Sequence, residues 1–443
     1  MDLCIELPFT EIMDPPRGMD DLLPEDYALI SRIIQNVRKL FRLYCYSEIE
    51  TPPVEYYEIF AAKSGEEILQ HMYVFTDRHN RKLVLRPEMT APVARLVAGK
   101  LSRRPLPLRL GYIADCYRLD EPQWGRRRRF YHGGFELFGS ADPIADAEIL
   151  IIVNNFFRNV GISEYFFKIG HVGIHRALMN RAGINEEVQD QILSLIDRGR
   201  VVDAMGLAEK HARDQSPLRI LEELIMIKPD EASVLTEKIL GMLEDCEEAK
   251  SAANNLSEII QLSSSVIDGK KLIYHPGFSR GLGYYTGMIF EIYGSLADVA
   301  LAGGGRYDKL VELFGGRSIP GVGAAIGITR VHQYLTDKLG ISVETALPDV
   351  YVAPLSKNAW THCLRISDKL RMHGVAAELG VTSRSISDVI KTCEKRGIRF
   401  LIILGDKEVE QSQITLRDLV KREQAQYPIE GIEDVARIIK GGT

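Results

Sequence analysis

Two stretches of strand texture, Arg109 to Arg118 and Arg129 to Phe138, face each other across a polar segment, Asp120-Glu-Pro-Gln-Trp-Gly-Arg-Arg-Arg128. Strand-forming runs joined by turn residues predict an antiparallel hairpin with a long, basic tip. A hairpin of this length commits the chain to a sheet, because two strands alone are barely stable in water. Side chains alternate along a strand, so Phe130, His132, Gly134 and Glu136 share one face. That face carries an aromatic plate, a hydrogen-bonding ring, a gap and a carboxylate, and Arg118 on the opposing strand reaches the same surface. An aromatic plate with an arginine suits a purine nucleotide. A carboxylate farther along suits a cationic or N–H-donating ligand. Taken alone, the run Arg126 to Arg129 reads more simply as a solvated loop.

Three other segments carry chemistry. In Ser279-Arg-Gly-Leu-Gly-Tyr-Tyr-Thr-Gly-Met-Ile-Phe-Glu291, glycines 281, 283 and 287 break any helix ahead of a predicted strand from Met288 to Tyr293. Arg280 beside Tyr284 and Tyr285 suits a site that holds a phosphoryl group and a small polar ring together. In Leu85-Arg-Pro-Glu-Met-Thr-Ala-Pro92, prolines 87 and 92 restrict the backbone, and Glu88 and Thr90 point the same way if the segment is extended. A carboxylate and a hydroxyl together hold an ammonium group, although singly each is an ordinary helix-cap or strand-end residue. Gly303-Gly-Gly-Arg-Tyr-Asp308 is predicted as a turn into a helix, and Gly321 to Gly327 packs small residues ahead of a helix that carries Arg330. The first of these has no G-x-G-x-x-G leading into a helix in a βαβ setting, so dinucleotide binding is not supported, and these glycines are expected to let a ligand lie against the backbone.

At 443 residues the chain has room for two or three domains. Helical spacing runs from Tyr27 to Tyr44, with Pro24 near its start, and a short strand is expected over Glu48 to Thr51. Helices are also predicted near Ala91 to Leu101 and over Ile144 to Asn159. From 176 to 263 the sequence is almost wholly helical, with strand-rich sequence on both sides, which predicts an inserted helical domain. After a linker at Thr345 to Pro348, strand, helix, strand, helix and strand follow over 349–355, 358–373, 375–379, 383–396 and 400–404, an α/β domain of 349–443. The first domain then spans 1–345, interrupted by the insertion.

The formal charge of −6 means that a polyanionic partner must be met by local basic patches. The cysteines at 4, 45, 116, 246, 363 and 393 form no C-x-x-C pair, so neither a disulfide framework nor a zinc site is expected, and a reducing compartment is. His171 and His175 are spaced i, i+4 but sit in glycine-broken, strand-like sequence, a poor setting for a metal pair. No apolar run approaches membrane-spanning length, and the N-terminus lacks the pattern of a signal peptide.

Taken in order, these motifs resemble those of the class II aminoacyl-tRNA synthetases. Arg118 to Glu136 is similar to their motif 2, Gly321 to Arg330 to motif 3, and the helix ahead of Pro52 to the dimer-forming motif 1. Leu85 to Thr90, Arg280 to Gly287 and Gly304 to Asp308 resemble signatures of the histidyl-tRNA synthetases. Phe400-Leu-Ile-Ile-Leu-Gly405 and Ile414-Thr-Leu-Arg-Asp-Leu419 resemble the anticodon-binding domain of that subclass.

The resemblance implies an α+β catalytic domain on an antiparallel sheet, a helical insertion and a C-terminal α/β anticodon-binding-like domain. It implies ATP and Mg²⁺, histidine and tRNA(His) as partners, a homodimer, a cytoplasmic location and no membrane. It places Glu88 and Thr90 on the α-amino group of histidine, and Arg118 between the amino acid carboxylate and the α-phosphate. Arg126 and Arg128 would meet the outer phosphates, and Phe130 and Arg330 would sandwich adenine. Glu136 and Tyr285 would bond the imidazole nitrogens, with Tyr284 and Tyr307 in the same pocket and Arg280 on the α-phosphate. The family pattern usually has at 132 a Gln that contacts the α-amino group of histidine, Glu at 120 and Asp at 283; here stand His132, in the same histidine-binding position, Asp120 and Gly283. A neutral His132 accepts one hydrogen bond, whereas a protonated one would repel an ammonium group. The rival reading is a catalytically silent relative similar to the regulatory subunit of ATP phosphoribosyltransferase, which would keep the histidine pocket as a sensor. The C-terminal domain and the intact set Arg118, Phe130, Arg280 and Arg330 favour the ligase.

Overall fold

The predicted hairpin forms. Leu108–Tyr117 and Arg129–Phe138 pair antiparallel over their full length, from Leu108 opposite Phe138 to Tyr117 opposite Arg129. In this computed structural model the described residues are 13–61, 65–280, 283–343, 347–382 and 384–441. They fall into two compact units, Met1–Val343 and Glu344–Thr443.

In the first unit the hairpin sits in a nine-stranded sheet. Beside Arg129–Phe138 lie Gly321–Gly327, Ala302–Arg306, Met288–Gly294 and Tyr165–His171, each antiparallel to its neighbour. Leu272–Tyr274 and Asp230–Glu231 finish that edge, and Ser47–Glu48 closes the other. Gly303-Gly-Gly-Arg306, expected as a turn, is a central strand bonded on both sides; the short helix Leu310–Leu313 follows it. Close strand packing explains the difference, because a Cβ on Gly304 would stand 2.8 Å from the Cα of Ala324. The strand expected over Glu48 to Thr51 is shorter and begins one residue earlier, at Ser47–Glu48, with Ile49 adding one further bond to the Gly111 carbonyl at 2.8 Å.

One face of this sheet packs on helices. Phe135 meets Phe41 of helix Pro24–Leu43 at 4.9 Å between ring centroids. Helix Pro143–Asn159 is buried on nearly every side, which fits its run of apolar residues and its place between the sheet and helix Glu247–Ser263. It holds one buried charge, Asp146, which accepts from the Arg306 guanidinium at 3.0 Å and so tethers the Gly303–Asp308 segment from behind. Of residues 176–263, most lie in helices, yet Asp230–Glu231 adds an edge strand to the sheet and Ile192, Leu221, Leu256 and Ile259 belong to the same continuous core.

The second unit has five strands in the order Ala377–Leu379, Val350–Pro354, Phe400–Leu404, Gln413–Asp418 and Glu423–Pro428. The first three are parallel, and the last two form an antiparallel hairpin. Phe400–Leu404 is buried throughout, with Phe400, Ile402 and Leu404 in one core and Leu401 and Ile403 in another. A strand covered on both faces reads as an unbroken apolar run, as this one does. Helix Ile386–Arg396 starts where Ser385 accepts from the Asp388 N–H and stops at Gly397 in the left-handed region. The hairpin and the final helix Ile432–Ile439 escaped prediction as elements. Among the described residues no helix is long and apolar enough to cross a membrane.

Candidate active site

The second face of the large sheet carries the site. Pairing sets His132 opposite Gly327, Gly134 opposite Ala325 and Glu136 opposite Gly323. Gly303 and Gly305 continue the same rows on the next strand, and Glu291 pairs with Gly303 beyond them. The alternation that puts Val322, Ala324 and Ile326 into the core therefore leaves a floor of glycine and alanine on the other side. Larger residues would fill this space. A Cβ on Gly303 would stand 2.7 Å from Nη1 of Arg280, and one on Gly323 would stand 2.6 Å from the Tyr307 hydroxyl.

Over this floor Arg118, Phe130, Arg280 and Arg330 line one cleft of about 110 Å³, joined by Arg126 and His132. Arg118 lies 5.3 Å from the Phe130 ring centroid and donates through Nε to the Pro87 carbonyl at 2.9 Å. Arg330 donates to the carbonyls of Gly125 at 2.6 Å and Ala300 at 2.8 Å. Burial pushes its pKa down to about 10, with repulsion from Arg118 and Arg126 adding to it. Burial also opposes the charge on Arg280, but Tyr285 and Glu291 outweigh it and the pKa is raised. Glu291 lies 3.7 Å from Arg280. With Asp120, it supplies the cleft's carboxylates.

Burial holds His132 neutral, with a pKa pushed down to about 3, and Arg118, Arg330 and Arg280 add to the shift. This removes the repulsion that a protonated ring would bring.

Deeper in, Glu136 is fully buried and accepts from Thr90 Oγ1 at 3.1 Å, from the Tyr112 hydroxyl at 3.3 Å and from Tyr307. Burial raises its pKa to about 8 despite these donors. Tyr307 meets Tyr284 edge-on at 6.0 Å, Tyr284 packs on Tyr285 at 4.8 Å, and the Arg280 guanidinium lies 5.6 Å from the Tyr285 ring. An unbroken chain of contacts thus runs from the cationic cleft to Glu136.

Two expectations change. Glu88 and Thr90 do not project together from an extended segment. Glu88 accepts from the backbone N–H groups of Thr90 at 2.6 Å and Ala91 at 3.0 Å, at the start of helix Thr90–Ala98, while the Thr90 hydroxyl turns to Glu136. A carboxylate is favoured there by the free N–H groups of the first turn. Arg128 does not line the cleft. Its Nε donates to the Asp120 carbonyl at 3.2 Å and its backbone N–H to Gly18 at 2.8 Å, so Arg126 and Arg127 face the space instead. Sequence reasoning missed Tyr112, although it sits on the strand opposite Gly134 and therefore on the face of Glu136. It also missed the Cys116 contact with His132.

A six-strand antiparallel centre with a basic, glycine-floored cleft, together with a separate α/β unit, defines the architecture of a class II aminoacyl-tRNA synthetase. Residues 18–331 match the histidyl-tRNA synthetase family model, and residues 349–438 match that of the anticodon binding domain. A histidine–tRNA ligase of Metallosphaera sedula is 37% identical over 95% of this chain and 98% of its own length. One from Methanocaldococcus jannaschii is 36% identical over 92% and 96%. The solved histidyl-tRNA synthetase of Nostoc superposes with a TM-score of 0.74 over 97% of this chain and 99% of its own, at 22% identity. A Bacillus halodurans structure described as ATP phosphoribosyltransferase regulatory subunit/histidyl-tRNA synthetase gives 0.73 at 27% identity, over 88% and 97%. The chain belongs to the histidyl-tRNA synthetase family.

Proposed function

We propose that this chain is a histidine–tRNA ligase, which activates histidine with ATP to histidyl-adenylate and transfers the histidyl group to tRNA(His). The observation that carries the reading is the convergence of Arg118, Phe130, Arg280 and Arg330 on one cleft, next to the buried Glu136–Tyr307–Tyr285 cluster.

The cleft is chemically suited to a triphosphate. Arg330 is depressed first by burial and then by repulsion from Arg118 and Arg126, and an incoming polyanion relieves that repulsion. In the activation step the histidine carboxylate attacks the α-phosphorus, a new P–O bond forms, and the bond to the β-phosphate oxygen breaks to release pyrophosphate. Charge grows on the equatorial and departing oxygens. Arg118 and Arg280, held before the reaction starts by the Pro87 carbonyl and by Glu291, meet it at the α-phosphate, and Arg126 meets the outer phosphates. Phe130 and Arg330 enclose the adenine. Mg²⁺ commonly binds through one or two carboxylates and substrate phosphates, and Asp120 and Glu291 supply that number in the cleft. When bound, the ion neutralises phosphate charge.

Glu136 and Tyr285 select the imidazole by paired polar contacts, and an analogue that cannot make them leaves buried groups unpaired. Thr90 and Glu88 stand by for the ammonium group once their present bonds give way. The C-terminal unit meets anticodon bases, residues 176–263 form an insertion at the acceptor stem, and the ligase works as a cytoplasmic homodimer. These last points rest on family resemblance. The silent-sensor alternative is less well supported, because the cationic set is intact and the ligase relatives align over both units.

Histidine-dependent ATP–pyrophosphate exchange followed by charging of tRNA(His) tests the proposal. Exchange and charging are both expected. Histidine binding with no exchange would replace the ligase by the sensor, and exchange without charging would remove the tRNA half.

A further inference from the structure

Cys116 and His132 face the site from neighbouring strands: Cys116 pairs with Phe130, and His132 is the next residue on that face. The two side chains are therefore diagonal neighbours across the ladder, and Sγ of Cys116 lies 3.9 Å from Nδ1 of His132. Cys116 is buried without exposure, whereas His132 is partly open and lines the cleft. Among the described residues, the other ring nitrogen, Nε2, has no protein partner and is not among the buried polar atoms that lack one. It is the nitrogen left to the cleft.

We infer that the Cys116 thiol sets the tautomer of His132 by donating S–H to Nδ1, so that the ring presents Nε2–H to the cleft as an uncharged donor to an anionic substrate oxygen. This inference rests on the ligase reading for the identity of that oxygen, a carboxylate or α-phosphate oxygen, but not for the tautomer itself.

Each protonation state on which the arrangement depends is favoured by its surroundings. Burial pushes the Cys116 thiol up to about 12, so it keeps a proton to donate toward Nδ1, 3.9 Å from Sγ. The imidazole carries a single proton, since burial and three guanidinium groups disfavour a second. A sulfur proton directed at Nδ1 leaves the ring proton on Nε2. The same guanidinium groups disfavour an ammonium group at Nε2 and favour an oxygen anion. His132 thus takes a different role from that of a side chain meeting the amino group. It adds a neutral donor to a cationic cleft, with no further repulsion among the arginines. Cys116 is a positioning residue, acting through the ring.

The test combines spectroscopy with a double-mutant cycle. Nitrogen NMR of the full chain labelled at histidine should show His132 as the Nε2–H tautomer in wild type. Cys116→Ala should mix the two tautomers. An Nδ1–H ring in wild type overturns the inference, whatever the enzyme's activity. In ATP–pyrophosphate exchange, Cys116→Ala should lower kcat about fivefold, the effect of losing one modest hydrogen bond. The same change made in a His132→Gln background, where the amide carries its own N–H, should have no further effect. Equal losses in both backgrounds would make Cys116 a packing residue only and overturn its positioning role. If wild type shows no exchange at all, the ligase reading fails while the tautomer assignment is still decided by the spectrum.

Discussion

Arg330 donates through Nε to the carbonyl oxygen of Gly125 at 2.6 Å, across 205 residues of sequence. The bond ties the hairpin tip to helix Ile328–Gln333. Gln333 accepts from the Gly125 N–H at 3.2 Å, and the Trp124 indole donates to Asp337 at 3.1 Å. One arginine therefore shapes the loop that carries Arg126 and also forms a wall of the cleft. These two jobs separate by substitution. Gln333→Ala loosens the loop by one of its ties while leaving the Arg330 wall in place, and should raise the KM for ATP about threefold to tenfold with little change in kcat. Arg330→Ala removes both and should cost about a hundredfold in kcat/KM for ATP. Exchange kinetics at varied ATP check both values.

Arg280 sits between the cleft and the Tyr285 ring, with Glu291 at its side. Arg280→Ala should lower the rate of adenylation about 10²–10³-fold, as the loss of one preorganised donor does. Histidine affinity, read by calorimetry without ATP, should be largely spared. An equal loss in both measurements would place Arg280 on the amino acid instead.

Glu136 links pH to both ligand binding and stability. Its pKa in the folded protein, about 8, lies above the ordinary carboxyl value of 4.5. Between those values the folded state holds a proton that the unfolded state has released. The stability contribution is therefore full below pH 4.5 and is lost as pH rises through 8. Glu136→Gln should flatten this decline in urea titrations from pH 6 to 9. In the wild-type protein, histidine binding by an ionised Glu136 should tighten as pH rises toward 8, and the substitution should abolish that dependence as well as most of the affinity.

Gly323 tests the glycine floor. An added Cβ would meet the Glu136 carboxylate and stand 2.6 Å from the Tyr307 hydroxyl. Gly323→Ala should therefore weaken histidine binding at least tenfold, because the paired donors around Glu136 are pushed out of place. Gly315→Ala, where a Cβ meets nothing within 4 Å, should leave histidine affinity unchanged despite some backbone strain at its positive φ. Calorimetry on the two variants makes the comparison.

Much of the architecture was legible because it rests on local rules. Alternation along Arg129–Phe138 and amphipathic spacing along Pro24–Leu43 are properties of a few turns or pleats, and burial follows them. The unbroken apolar run Phe400–Leu404 announced a doubly covered strand for the same reason. Gly303–Arg306 misled, because glycine is read locally as a turn residue while here it answers to a neighbouring strand. The final hairpin was hidden by Glu423–Pro428, an exposed strand with little apolar alternation to detect.

Within the site, residue types and order along the chain determined which groups were available: Arg118, Phe130, Arg280 and Arg330 as one set, Glu136 and the tyrosines as another. Only the tertiary structure decided that Glu88 caps a helix, that Arg128 turns from the cleft, and that a cysteine stands beside His132. The physical reason is range. Strand and helix periodicity fix only the face a side chain takes, whereas its hydrogen-bond partners depend on the turn, loop or ladder around it, 16 positions away for Cys116 and His132 and 171 for Tyr307 and Glu136.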